Sequence, residues 1–90
     1  MNSLLEILQT NLPTGARLEK TKETANRFKF DFCYNGDCVQ YDICKAVAPG
    51  HEKTYVTRAI ANCMAQIFLS AGKIENATYW LTVAAKGSMN

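Results

Sequence analysis

Residues 27–44 read RFKFDFCYNGDCVQYDIC, and this stretch decides the fold. Its first half alternates aromatic and polar residues, which is the period-two pattern of a strand with one buried face. Asn35-Gly36 follows, the pair that best tolerates the positive φ angles of a two-residue type I′ turn. The second half alternates again, so the stretch predicts a tight β-hairpin.

The two-residue turn determines which residues of the hairpin face each other. Counting outward from the turn, the predicted cross-strand pairs are Tyr34–Asp37, Cys33–Cys38, Phe32–Val39, Phe30–Tyr41, Lys29–Asp42 and Phe28–Ile43. The three phenylalanines of the first strand all meet apolar partners in this register. Because turn chemistry and hydrophobic pattern agree, the register is strongly specified.

A short helix and a further strand are predicted before the hairpin. Leucines recur at helical spacing from residue 4 to residue 12, behind a capping box formed by Ser3 and Glu6. Pro13 ends this helix, because its ring disfavours helical geometry in the preceding residue. Residues 16–22 alternate weakly and predict an edge strand, with Leu18 and Lys20 on one side and Arg17, Glu19 and Thr21 on the other.

Two helices are predicted after the hairpin. Residues 51–71 carry a wide apolar stripe at helical spacing and end before Gly72, which predicts a long amphipathic helix. In residues 74–86, strand propensity at residues 78–83 competes with a helical pattern, and we expect a helix closed by Gly87. Its apolar face is expected to contain Ile74, Ala77, Leu81, Ala84 and Ala85, and to pack on the long helix through Leu81 or Trp80.

The element order α-β-β-β-α-α predicts a single α+β domain over residues 1–90. Only one face of the three-stranded antiparallel meander is apolar, so the helices are expected on that face, giving two layers. The predicted core is Phe28, Phe30, Phe32, Val39, Tyr41, Ile43, Leu4, Leu8, Val56, Ile60, Met64, Ile67 and Phe68. The opposite face is polar: Arg27, Lys29, Asp31, Cys33, Cys38, Gln40, Asp42 and Cys44.

Basic residues cluster around the first two strands, although the net charge of the chain is only +2. Between residues 17 and 29, two glutamates stand against five basic residues: Arg17, Lys20, Lys22, Arg27 and Lys29. A solvated strand edge often has this composition. If the chain acts through its surface, these five residues are the predicted partner-binding site, because charge complementarity speeds encounter and orients partners.

No pattern for catalysis, a cofactor or a metal site is found in the sequence. Paired carboxylates, a Gly-rich phosphate loop and C-x-x-C pairs are absent, and Cys63 lies on the apolar stripe of the long helix, where a thiol is inert packing. His51 is expected to be exposed at a helix start. We therefore predict a protein that is not an enzyme and has no small-molecule substrate.

The cysteines and the first residues bear on the cellular compartment. The chain begins without a basic stretch or a small-residue cleavage site, and no apolar run reaches the roughly 18 residues of a membrane span. A cytoplasmic protein with no membrane contact is the expectation. Cys33 and Cys38 are then predicted to be adjacent on the exposed face, free in a reducing cytosol and open to oxidation in air.

The order helix, three strands, helix resembles the double-stranded-RNA-binding domain across residues 3–71. That family grips phosphates through a basic cluster at the start of its second helix. Here residues 51–55 read HEKTY, with one lysine and one glutamate, and residues 23–26 read ETAN where the family has a Gly-Pro-x-His type loop. The resemblance implies an RNA-binding module, and both departures fall on its RNA-contacting segments.

In size and organisation the chain also resembles the small single-domain accessory proteins of phages and mobile elements, including anti-CRISPR proteins. This likeness is one of scale and of a small α+β core. It implies an inhibitor that occludes a host protein or ribonucleoprotein complex, with direct or indirect contact to RNA. A standard interface needs only about 800 Å² per partner, which a small domain can supply.

Overall fold

The chain folds in the predicted order α-β-β-β-α-α, in a computed structural model that describes residues 4–88. Its elements are α1 (Leu4–Thr10), β1 (Arg17–Glu23), β2 (Arg27–Tyr34), β3 (Asp37–Cys44), α2 (Glu52–Ser70) and α3 (Ile74–Lys86). The strands form one antiparallel sheet in the order β1-β2-β3. Ser3 of the predicted capping box lies outside the described residues.

The β2–β3 hairpin has the predicted register at every position. Tyr34 faces Asp37, and the pairing continues without a shift to Arg27 and Cys44 at the far end. Asn35 and Gly36 adopt φ angles of 54° and 83°, the two positive values that a type I′ turn requires. The local chemistry of two residues therefore sets the alignment of both strands.

The core lies between the aromatic face of the sheet and the helices, as predicted. Phe28, Phe30, Phe32 and Ile43 are buried against the apolar stripe of α2, and Leu8 of α1 is fully buried with them. Some predicted core residues are only partly buried and pack at the margin of this cluster: Leu4, Val39 and Tyr41. The result is a helical layer on one face of the sheet, with the other face left open.

Strand β1 is irregular, and this corrects the predicted alternation. Glu19 pairs with Asp31 and Lys22 pairs with Lys29, so two residues of β1 oppose the single residue Phe30 of β2. This is a β-bulge, in which the extra residue shifts all later side chains to the opposite face. Lys20 has a φ of 52°. Lys22 consequently lies on the open face with Arg17, and not on the side of Leu18.

Helix α2 is held at both ends. Gly72, with a φ of 76°, follows it, and the N–H groups of Gly72 and Lys73 donate to the carbonyl oxygens of Leu69 and Phe68 at 3.0 and 2.9 Å. These two bonds form a Schellman motif, which satisfies carbonyls that the helix end leaves unpaired. In its first turn, Tyr55 is half-buried, and its hydroxyl accepts a bond from the N–H of Cys44 at 3.0 Å.

Residues 74–86 form helix α3, as predicted, and of the two alternatives it packs through Trp80 and not Leu81, so part of the predicted apolar face is exposed. The buried residues are Ala77 and Val83, and Trp80 packs against the core. Leu81 is 48% exposed. The reason is that one residue turns the helix by about 100°, so placing the large indole of Trp80 inward rotates Leu81 outward.

Cys33 and Cys38 are adjacent, as predicted, but they are neither both exposed nor free. The two residues form a disulfide across the hairpin, with Cα atoms 4.0 Å apart. Non-hydrogen-bonded pairs of antiparallel strands bring Cα atoms this close, which places the two sulfur atoms within bonding range. Cys33 is fully buried, between Arg17 of β1 and Cys38 of β3.

Candidate partner-binding face

The open face of the sheet is polar and carries no aromatic side chain. Residues that alternate with the buried phenylalanines of β2 and their partners on β3 point to this side: Arg27, Lys29, Asp31, Cys33, Cys38, Gln40, Asp42 and Cys44. The bulge adds Lys22 to the same face. We call this surface the open face. Its groups can form ion pairs and hydrogen bonds, but they offer no ring for stacking.

The five basic residues predicted as a site separate into two groups. Three of them lie beside a carboxylate: Arg17 with Glu19, Lys20 with Asp31 at 3.9 Å, and Arg27 with Asp42 at 3.2 Å. These pairs are solvent-exposed, at least on the basic side, and each contributes little to stability, about 0–1 kcal/mol. Their positive charge is largely balanced within the chain.

Lys22 and Lys29 form the second group. The bulge places them directly opposite each other on neighbouring strands, and both are exposed. Neither forms an ion pair or a side-chain hydrogen bond with any residue from 4 to 88. Like charges that face each other across two strands destabilise a sheet. The unbalanced charge of the open face is therefore concentrated in this pair.

A shallow, open depression of about 560 Å³ lies beside the lysine pair. Its lining residues are Lys20, Lys22, Lys29, Phe30, Asp31, Cys38 and Gln40. Three ammonium groups and one amide can donate hydrogen bonds there, and one carboxylate opposes them. This chemistry suits an anionic side chain that arrives from outside, since charge-assisted bonds to carboxylates are stronger than neutral ones.

Sequence reasoning found the lysines but missed how the sheet groups them. Gln40 and Cys38 were expected on the open face, yet nothing in the sequence linked them to Lys20 or Lys22. The link depends on the alignment of β1 with β2, which the bulge alters at Lys20. A weak alternation over residues 16–22 was the only local sign that this strand is irregular.

Cys63 is packed in the core, as predicted, and is not available for chemistry. Its side chain is fully buried in α2, and burial raises the pKa of its thiol to about 12, so the reactive thiolate is not formed near neutral pH. His51 is exposed and precedes the first residue of α2, as predicted. Lys22, Lys29 and their surroundings remain the strongest candidate site.

Comparison of the chain with known protein families, with curated proteins and with solved structures finds no match. Within residues 4–88, no helix is long and apolar enough to cross a membrane. Nor do three or more His, Cys, Asp or Glu side chains come together there in a group that could hold a metal ion. The candidate site is thus defined by its own geometry and charge.

Proposed function

We propose that this chain is a non-enzymatic binding protein that inhibits a host complex by occluding an acidic protein surface. The role is similar to that of anti-CRISPR proteins. The observation that supports it is the unpaired Lys22–Lys29 pair on the open face. The host complex is a protein or ribonucleoprotein assembly, and the contacted group is a carboxylate-rich patch of one of its proteins.

The lysine pair supports binding because its charge is unfavourable in the isolated chain. Two like charges at directly opposed positions repel, at a cost of about 0.2–1 kcal/mol. A carboxylate placed between them converts the repulsion into two attractive contacts. The depression beside the pair leaves room for an acidic side chain, and Gln40 adds a neutral donor.

The size of the molecule is compatible with this mode of action. An interface of standard size buries about 800 Å² on each partner, about one-seventh of the 5658 Å² surface of the described chain. Inhibition by occlusion requires only that such an area cover a functional surface of the target. No bond has to be made or broken.

RNA binding through a domain similar to the double-stranded-RNA-binding domain is the alternative. Single-stranded RNA is usually held by bases stacked on aromatic side chains, whereas the aromatic residues of β2 all point into the core. Double-stranded RNA would need a basic start of α2, where Glu52 adjoins Lys53. Both observations favour a protein partner over RNA.

The experiment is affinity capture from a bacterial lysate, with and without nuclease, using the wild-type chain and the double variant Lys22→Glu/Lys29→Glu. We expect an acidic protein to be captured by the wild type in both conditions and to be lost with the double variant. Lys53→Glu, an exposed lysine on α2, is the control with the same change per site. It should capture the partner as the wild type does.

The single variant Lys22→Glu separates binding from folding. It places a glutamate opposite Lys29 and should raise the melting temperature slightly while weakening capture, most strongly at low salt. Capture that the double variant retains would refute the assignment of this site. Capture that nuclease abolishes would support the RNA-binding alternative. A targeting assay in cells, in which the chain restores plasmid establishment against CRISPR interference, then tests the inhibitory role itself.

A further inference from the structure

Helix α3 presents an apolar surface to solvent. Among the described residues, four large hydrophobic side chains are exposed, and three of them lie on this helix: Ile74, Tyr79 and Leu81. The side of α3 that faces α2 is occupied by Ala77, Trp80 and Val83. Ile74 and Leu81 therefore belong to a second face, which no other part of residues 4–88 covers. Tyr79, in contrast, lies about 140° from Ile74 around the helix axis and contacts Trp80 edge-on.

The exposed residues of this second face form a straight stripe. Ile74, Thr78, Leu81 and Ala85 follow each other at intervals of four, three and four residues, which keeps them on one line along a helix. The stripe is about 16 Å long at 1.5 Å per residue. Thr78 donates its hydroxyl to the carbonyl oxygen of Ile74 at 2.9 Å, so its donor is already satisfied.

Two opposite charges flank the stripe on the same side. Glu75 in the first turn and Lys86 in the last are exposed, and neither forms an ion pair with another described residue. They are eleven residues apart, which places them about 20° from each other around the helix axis. At that separation along the axis they cannot reach each other within one helix.

We propose that two copies of this chain associate through α3, with the two helices antiparallel about a twofold axis. Ile74 and Ala85 lie equally far from the midpoint of the stripe, and so do Thr78 and Leu81. In an antiparallel pair, Ile74 of one copy thus meets Ala85 of the other, and Thr78 meets Leu81. The stripe is complementary to itself, as a twofold interface requires.

The flanking charges specify the same arrangement. Residues on the same flank of two antiparallel helices come together, so Glu75 of each copy lies beside Lys86 of the other. Their offset from a perfect match is about 3 Å along the axis, which the flexible lysine side chain spans. A parallel pair would place this flank of the two copies on opposite sides of the interface, so Glu75 and Lys86 would find no partner there. A second copy therefore fits this surface through both its shape and its charge.

Association is expected to be weak and concentration-dependent, because one four-residue stripe buries less area than a standard interface. Sedimentation of the wild-type chain should shift from the 10.0 kDa of one copy toward twice that mass as concentration rises. A non-reducing gel identifies any dimer linked through Cys44. A chain that stays at the mass of one copy up to millimolar concentration overturns the proposal.

Leu81→Asp tests the apolar stripe against a closely matched control. Leu81 is 48% exposed, and Leu69 on α2 is 47% exposed, so both variants put the same charge on the same residue type at the same exposure. Leu81→Asp should raise the dissociation constant at least about tenfold, as at a central interface position. Leu69→Asp should change it less than about twofold. Equal losses would mean non-specific association and would refute the assignment to α3.

Charge reversal tests the antiparallel geometry directly. Glu75→Lys and Lys86→Glu should each weaken self-association, since each leaves like charges facing across the twofold axis. Combining both changes in one chain should restore it. An equimolar mixture of the two single variants should associate better than either alone, because every flank is then complementary. Single variants that dimerise like the wild type, or a double variant that stays weakened, would contradict this pairing.

Discussion

Strands β1 and β3 flank the same central strand, but they are joined to it in different ways. β3 pairs with β2 at eight consecutive positions without a shift, starting from the Asn35-Gly36 turn. β1 pairs regularly only as far as Glu19, then bulges at Lys20 and resumes at Lys22. Both contacts are antiparallel and involve strands of similar length, so length and direction do not explain the difference.

The difference shows what a turn contributes to a sheet. On the β3 side, a two-residue loop aligns the strands before any side chain packs, and the alternating pattern agrees with it. On the β1 side, the connection is longer and β1 is mostly exposed, so few buried residues favour one alignment. The bulge lies in the strand that buries the fewest residues, so it costs the sheet little stability. The candidate site lies beside it.

Phe30 lies on β2 between the regular pairing with β3 and the bulge of β1. Its replacement has the largest expected effect on stability. It is buried, opposes Tyr41 on β3, and faces the bulge on β1. Phe30→Ala should lower the free energy of unfolding by about 3–5 kcal/mol through lost burial and a residual cavity, a large part of the stability of a small domain. Chemical denaturation measures it. The control is Lys29→Ala, one position away on the open face, which should change the free energy of unfolding little. Normal stability of Phe30→Ala would mean that the inner face is misassigned.

Gly36→Val breaks the turn that aligns β2 with β3. A Cβ atom at Gly36 would meet no neighbour within 4 Å, so the cost comes from the φ of 83° alone. A β-branched residue resists positive φ, and the loss should exceed about 1 kcal/mol. The melting midpoint measures it, with Gln40→Val on the same hairpin as a control for adding valine to an exposed position. An unchanged midpoint would remove the type I′ assignment.

Lys20→Gly tests the β1 side of the comparison, and this variant should gain stability where the previous two lose it. Lys20 holds a φ of 52°, which costs a residue with a side chain about 1 kcal/mol, and glycine adopts it freely. We expect the variant to be more stable than the wild type by roughly 0.5–1 kcal/mol. Lys20→Ala, which also loses the ion pair with Asp31 but keeps a Cβ atom at the same φ, is the control and should not gain stability. Loss of stability in both variants would argue against the bulge.

Reducing the Cys33–Cys38 bridge should have the smallest effect. A disulfide that closes so short a loop restricts the unfolded chain by about 2 kcal/mol in the simplest entropy model. The turn already restricts the same segment, so we expect the loss to stay below about 1 kcal/mol. Melting with and without a reductant measures it. A larger loss would show that the bridge, and not Asn35-Gly36, aligns the hairpin.

Thiol labelling provides the control for that experiment. In the oxidised protein, the half-buried Cys44 should react and Cys63 should not, because Cys63 is buried and its pKa is raised to about 12. After reduction, the exposed Cys38 should react before the buried Cys33. Labelling of Cys63 in the folded protein at the rate of Cys44 would contradict the helix face assigned to α2.

The parts of the fold that depend on local chemistry were predictable from the sequence. The hairpin register, the element order and the aromatic core follow from alternation, turn residues and helix ends. The bulge was not predictable, because β1 is mostly exposed and has no buried alternation that would fix its alignment along β2. Trp80 and Leu81 could not be ranked either, since adjacent residues on a weak helical pattern compete for the same interface.

For the candidate site, the sequence indicated the residues but not their partners. All five basic residues lie on or beside β1 and β2, yet only the aligned sheet shows that Lys22 and Lys29 lack a carboxylate. For the cysteine pair, the sequence indicated the partners but not their chemical state. Geometry correctly predicted that Cys33 and Cys38 are adjacent, whereas the argument from a reducing compartment predicted free thiols and the structure has a disulfide.

The edges of the sheet determine how far this molecule can assemble. An unpaired strand edge is a template for adding another chain, and repeated addition leads to fibres. Here the bulge and its lysines disrupt the β1 edge, while the hydroxyl of Tyr55 occupies the N–H of Cys44 at the end of β3. The β1 edge is therefore a poor starting point for open-ended growth, and the β3 edge is closed at Cys44. Association through α3 would close on itself after two copies, so the chain could be concentrated without polymerising.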